Sequence, residues 1–172
     1  MALNFEKYAQ EGNSLVKTLT FNISSTAFEN GVRIPAIHTC SGDDVSPPLQ
    51  WEGEPKVTAS YALILEDPDA PDGTFTHWIV YNLPPTCHNL EKNITVQKNL
   101  PNGGIQAKND SGKTGYSGPC PPKGEEHRYV FKIFALRKKL PPESIRNGTD
   151  FYKALNGLIL DQAEYMGLYK RS

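Results

Sequence analysis

Five short segments stand out as carriers of chemistry: Asp67-Pro68-Asp69-Ala70-Pro71, His77-Trp78, Lys108-Asn109-Asp110, Gly118-Pro119-Cys120-Pro121-Pro122 and His127-Arg128-Tyr129. Imidazole and phenol groups donate hydrogen bonds to phosphate oxygens. A carboxylate such as Asp67 accepts from one histidine ring nitrogen, which fixes the tautomer and aims the other nitrogen at a ligand. The proline-rich segment offers a wall. Proline presets φ, Gly118 permits close backbone approach, and a stiff surface loses little entropy when a ligand arrives. Brought together, these groups would capture a small anion. Each segment alone has a plainer reading: a strand histidine commonly serves packing, and Asp-Pro-Asp-Ala-Pro also suits an Asx-turn loop.

Other chemistries find less support. The chain lacks a Gly-x-Ser-x-Gly elbow, since Gly115-Tyr116-Ser117-Gly118 is out of register, and it lacks His-Glu-x-x-His and a phosphate loop ending in Gly-Lys-Ser/Thr. The enzymatic alternative is a hydrolase in which Asp67 orients His77 as general base, with Cys120 as the nucleophile candidate; its flanking prolines do not activate a thiol. Cys40, Cys87 and Cys120 are odd in number, widely spaced and without a Cys-x-x-Cys pair, so they read as free thiols of a reducing compartment, with no metal or cofactor implied.

Eighteen Lys and Arg against nineteen Asp and Glu leave a net charge of −1. No strong field draws this chain to nucleic acid or an anionic membrane, so any anion must be held locally. No apolar run approaches the ~20 residues of a membrane span. The charges interleaved through MALNFEKYAQEGNSLVK do not make a signal peptide, and a cytoplasmic protein is expected.

The elements that position these residues are mostly strands. At 172 residues the chain suits one domain, and 14 glycines with 14 prolines make it rich in turns. Phe5, Tyr8, Leu15, Val16 and Leu19 fall near helical spacing, which predicts a short helix over residues 4–17 within an extension of residues 1–18. From Leu19 the period becomes two. Residues 60–66 and 77–83 read as buried strands. Over residues 127–136, His127, Tyr129, Phe131, Ile133 and Ala135 share one face, and apolar residues on both faces predict a central strand. Phe151, Ala154, Leu155, Leu158 and Ile159 predict a C-terminal helix with Thr149 as N-cap. The expected architecture is mainly β, an antiparallel sandwich with peripheral helices. Strand ends and loops gather at the rims of a sandwich, where the five segments would meet.

These segments, in this order and preceded by Asp43-Asp44-Val45-Ser46-Pro47-Pro48-Leu49, resemble the phosphatidylethanolamine-binding protein family, in its bacterial-type branch often called Raf kinase inhibitor-like proteins. The resemblance covers roughly residues 19–170. It implies a large central sheet packed on a smaller one, with peripheral helices. It also implies a rim pocket for phosphate or a phospholipid headgroup, formed by Asp67, His77, Gly118, Cys120, Pro121, His127 and Tyr129. It further implies a cis Ala70-Pro71 bond, a lipid-binding rather than enzymatic role, a kinase or other signalling protein as partner, and a homodimer. The alternative is a pure interaction or inhibitor module with a vestigial pocket. The interval from Asp67 to His77 is shorter than in mammalian members, and no C-terminal helix follows Tyr169, so a more open pocket is expected and Tyr169 has no assigned role in it.

Overall fold

The computed structural model describes residues 7–11 and 14–172, with side chains from residue 19 onward. Strands β1 (Lys7–Glu11) and β2 (Ser14–Thr18) form an antiparallel hairpin with Lys7 opposite Thr18 and Glu11 opposite Ser14. The expected N-terminal helix is therefore corrected to a hairpin over its described part; residues 4–6 and 12–13 lie outside the described residues. β-Branched Val16 and Thr18 suit the second of these strands.

Next come β3 (Asn22–Ser24), β4 (Val32–Arg33), a 3₁₀ turn (Ala36–His38) and β5 (Leu49–Glu52). The long strands β6 (Ser60–Asp67) and β7 (Phe75–Leu83) precede the short β8 (Asn89–Leu90) and β9 (Ile105–Gln106). Strand β10 (Glu126–Leu136), helix α1 (Gly148–Leu155) and β11 (Ile159–Lys170) complete the order. Six strands make the large sheet, β4-β11-β10-β6-β7-β9, and β3-β5-β8 make the smaller one. Pairing in both is antiparallel except between β4 and β11.

Strand β6 is buried along its whole length because it is covered on both faces. Tyr61, Leu63 and Leu65 pack toward the smaller sheet with Trp51, Trp78, Tyr129 and Phe131. Ala62 and Ile64 face the other way, joining Ile79, Phe134, Phe151 and Leu155 beneath α1. The central-strand reading of residues 127–136 holds, since β10 lies between β11 and β6.

Helix α1 is capped two residues earlier than expected. Asn147, in extended conformation, accepts from the Asp150 N–H at 2.9 Å, so Asn147 rather than Thr149 is the N-cap. The helix stops at Leu155, and Gly157 at φ 74° turns the chain. Leu158 and Ile159, which fit the helical period, thus lie beyond it, and β11 is a strand the periodicity did not show. Its first half is largely exposed and therefore carries no apolar alternation. Gly167 marks where β11 meets the core, because a Cβ there would lie 2.3 Å from Ile34 Cγ1 and 2.8 Å from Phe28 Cε2.

Candidate functional site

Asp67 ends β6, His77 lies early in β7, and His127 and Tyr129 open β10. These strand ends form one rim of the large sheet, and the 117–122 segment closes over them. All seven expected residues, Asp67, His77, Gly118, Cys120, Pro121, His127 and Tyr129, line one cavity of about 260 Å³, with Ala70, Pro71, Phe75 and Pro122 among its other walls. That volume is below the ~300–1,000 Å³ of drug-sized pockets, so the space admits only a small group.

His77 reaches this cavity through an irregularity in β7. Leu65 pairs with Trp78 and Glu66 with Thr76, leaving His77 as an extra residue between them. Such a bulge re-aims a side chain. Here it puts the imidazole on the cavity side, edge to face with Tyr129 at 5.4 Å and 4.7 Å from the Phe75 ring. A pair of hydrogen bonds to the wall then holds the histidine: His77 Nδ1 is 2.7 Å from the Ser117 carbonyl, and the Ser117 N–H donates to the His77 carbonyl at 3.0 Å. A carbonyl only accepts, so Nδ1 carries the proton and Nε2 of the neutral ring is a lone pair. Burial holds His77 below the ordinary histidine value, against the opposing pull of Ser117, Asp67, Asp44 and Asp110.

His127 is held differently. Burial works against its charge, but the hydrogen bond and charge of Asp67, with Glu125, raise it above the ordinary value. Its Nδ1 donates to Asp67 Oδ2 at 2.7 Å, and both side chains are almost wholly buried. Nε2 keeps only a long 3.4 Å contact to Glu125. The alternative pairing of Asp67 with His77 is therefore corrected: Asp67 orients His127. Its other oxygen accepts from the Asp69 N–H at 2.9 Å, so the Asx-turn reading of this loop also holds. Asp69 in turn chelates Arg128 at 2.8 and 3.0 Å and accepts its backbone N–H, which brings the Asp69 carboxyl down to about 2.

Tyr129 is fully buried, and its hydroxyl makes no hydrogen bond of normal geometry among the described residues, although Asp67 and the Cys120 backbone lie beside it. A buried hydroxyl left unpaired costs about 1–3 kcal/mol. Its presence between two oriented imidazoles leaves one hydrogen bond for an incoming atom.

The wall differs from expectation in three respects. Gly118, besides lining the cavity, lets the wall pack closely on protein backbone: a Cβ would lie 2.3 Å from the His38 carbonyl oxygen, and its N–H donates to Asp44 Oδ1 at 2.8 Å. Ala70-Pro71 is trans, because Pro71 takes the second position of a β-turn closed from Gly73 N–H to the Ala70 carbonyl, where its preset φ fits. Cys40 and Cys120 are joined in a disulfide, which leaves Cys87 as the free thiol. Spacing did not show this pairing, since the two cysteines are 80 residues apart. The bond removes the free-thiol argument for a reducing compartment and takes Cys120 away as a nucleophile. The Lys108-Asn109-Asp110 segment braces the rim from outside: Asp110 accepts from the Thr76 N–H, and Asn109 caps its own loop. Asp44, Phe75 and Ser117 were not among the expected site residues, and only the fold places them there.

The two-sheet fold and the gathering of these residues at one rim agree with the resemblance to the phosphatidylethanolamine-binding proteins. That family, described as "Phosphatidylethanolamine-binding protein", matches residues 24–170, and the chain belongs to it. Its relatives place it in the bacterial-type branch. It is 45% identical over 150 residues to a UPF0098 protein of Methanothermobacter thermautotrophicus, covering 87% of this chain and 99% of the relative. A UPF0098 protein of Aquifex aeolicus is 42% identical over 175 residues, covering 99% and 97%. Among solved structures, Escherichia coli YbcL, described as a member of the mammalian PEBP family, superposes with a TM-score of 0.81 at 34% identity, over 88% of this chain and 99% of that one. A Chlamydia trachomatis protein described as a PEBP homologue gives 0.80 at 37% identity, over 88% and 98%. Among the described residues no helix is long and apolar enough to cross a membrane.

Proposed function

We propose that the rim pocket binds the phosphate group of a small molecule or phospholipid headgroup, and that the protein acts by binding and not by turnover. The observation that carries this reading is the Tyr129 hydroxyl, buried and without a hydrogen bond of normal geometry among the described residues, at a cavity it shares with His77 and His127. An entering phosphate oxygen accepts from Tyr129 and from His127 Nε2, displacing the long Glu125 contact. His77 Nε2, a lone pair in the neutral ring, becomes a donor once an anion draws a proton to it. Because the bound form favours charged imidazoles, affinity falls as pH rises through the histidine range.

Two observations weigh against catalysis: Asp67 orients His127, so among the described residues no carboxylate is hydrogen-bonded to His77, and Cys120 is engaged in a disulfide. A kinase or other signalling partner remains part of the proposal through the family resemblance alone. Calorimetric titration of O-phosphoethanolamine into wild type and His127→Ala tests the pocket. A loss of at least about tenfold is expected, on the order of one charge-assisted hydrogen bond; equal affinities would overturn the assignment.

A further inference from the structure

The Cys40–Cys120 bond lies where thiol chemistry reaches the pocket. Cys120 lines the cavity, and both cysteines are exposed. The bond ties two segments that have no strand or helix of their own, residues 39–46 and 117–122. Between these segments run two hydrogen bonds, Cys40 N–H to the Pro119 carbonyl at 3.1 Å and Gly118 N–H to Asp44 at 2.8 Å. Those bonds, with the Ser117–His77 pair, keep the cysteines close after the covalent link opens. Arg171 holds Nη1 3.2 Å from Cys120 Sγ and 3.9 Å from Cys40 Sγ. A guanidinium at that distance stabilises negative charge on a sulfur that leaves as thiolate.

We infer that Cys40–Cys120 is a site of thiol–disulfide exchange with a dithiol reductant, and that reduction loosens the pocket wall and weakens the bound anion. The ligand clause rests on the phosphate reading above, whereas the exchange clause stands without it. In the first step a thiolate of the reductant attacks Cys40 Sγ and forms a mixed disulfide. The Cys40–Cys120 bond breaks, and its electron pair leaves on Cys120 Sγ beside Arg171. The second thiol of the reductant then attacks its own sulfur in the mixed disulfide and releases Cys40. The reductant departs as a cyclic disulfide. Two electrons and two protons have passed to the protein. Cys87 is an internal control: it is half-buried, hydrogen-bonded to the Asn89 carbonyl, and burial pushes its thiol up.

The test compares the oxidised protein, the protein treated with dithiothreitol, and a Cys40→Ser/Cys120→Ser variant. It uses alkylation with mass readout, amide exchange and calorimetry with O-phosphoethanolamine. Native reduction is expected to expose two further alkylatable thiols and to raise exchange within 117–122, at the Ser117, Gly118 and Cys120 amides, by about tenfold while β10 stays protected. The dissociation constant should rise about three- to tenfold, as the wall must then be ordered on binding, and reoxidation should restore it. Arg171→Gln should slow reduction severalfold without changing affinity in the oxidised form; an unchanged rate removes Arg171 from the step. A bond that survives dithiothreitol in the native protein, or identical exchange over 117–122 in both forms, overturns the proposal. Altered exchange with equal affinities overturns the coupling to the pocket. If phosphoethanolamine binds neither form while exchange responds, the phosphate reading fails and the exchange site stands.

Discussion

Glu66 and Asp67 are neighbours on one strand, both nearly buried, yet they build opposite kinds of polar cluster on the two faces of the large sheet. On the helix side, Glu66 Oε2 receives Lys132 Nζ at 3.0 Å and the Tyr152 hydroxyl at 2.9 Å. Lys132 also approaches Tyr152, with Nζ 5.9 Å from the ring centre. This carboxylate, cation and phenol complete one another and line an open, polar depression. On the other side, Asp67 and His127 pair, but among the described residues the Tyr129 hydroxyl and one nitrogen of His77 are left over at a smaller, more recessed cavity with proline walls. The same residue classes occur on both faces. What separates a structural ion pair from a candidate binding site is unspent hydrogen-bonding capacity held where water is restricted.

The largest effects should come from the two carboxylates. Removing one partner of a buried pair typically costs about 3 kcal/mol. Glu66→Ala is expected to lower stability by an amount of that order in denaturant titration while phosphoethanolamine affinity stays unchanged. Asp67→Ala should cost similar stability and also at least about tenfold in affinity, roughly one charge-assisted bond. If Glu66→Ala weakens binding as strongly, the two faces are not functionally distinct.

The tyrosines should cross over. Tyr152→Phe removes a hydrogen bond to a charged group and should lose about 1.5 kcal/mol, with binding intact. Tyr129→Phe removes an unpaired buried hydroxyl, so stability should hold or rise by about 1 kcal/mol while affinity falls. A destabilised Tyr129→Phe would mean that its hydroxyl is already paired. On the helix side, Asn147→Ala should cost about 1 kcal/mol in the same measurement and Thr149→Ala only a few tenths, since Asn147 is the cap.

The smallest change is expected in the pH profile of stability. His127 is raised above its unfolded value, so its contribution is complete below about 6.5 and is lost as pH rises through the folded value. His77 is lowered, so its contribution is present above about 6.5 and is lost as pH falls toward the folded value. Chemical denaturation of His127→Gln across this range should therefore lose the alkaline decline that the pair confers on wild type and keep the acid one. An unchanged alkaline limb would contradict the Asp67 pairing.

Much of this site was legible in the chain. His127 and Tyr129 are two apart in a strand, so period-two geometry puts them on one face without further information. Residue types offer the anion chemistry of the five segments, and the set of seven site positions follows from the family resemblance. The long apolar strands β6 and β10 announced themselves because both faces are buried. Strand β11 did not, because its exposed half has no alternation to read. The N-terminal segment misled because a handful of apolar residues satisfies a helical spacing as easily as a hairpin.

The sequence by itself determined the chemistry available here: two imidazoles, a phenol, a carboxylate and a stiff proline wall, with too little net charge to attract an anion from a distance. Tertiary structure decided how those groups are spent. The bulge at His77, the Asp67–His127 pairing, the trans Ala70-Pro71 bond and the Cys40–Cys120 link all depend on which strand ends and loops come together in space. Local periodicity reports the face a side chain takes within its own strand. It carries no information about a partner 60 or 80 residues away, because that contact forms only when the whole sheet closes.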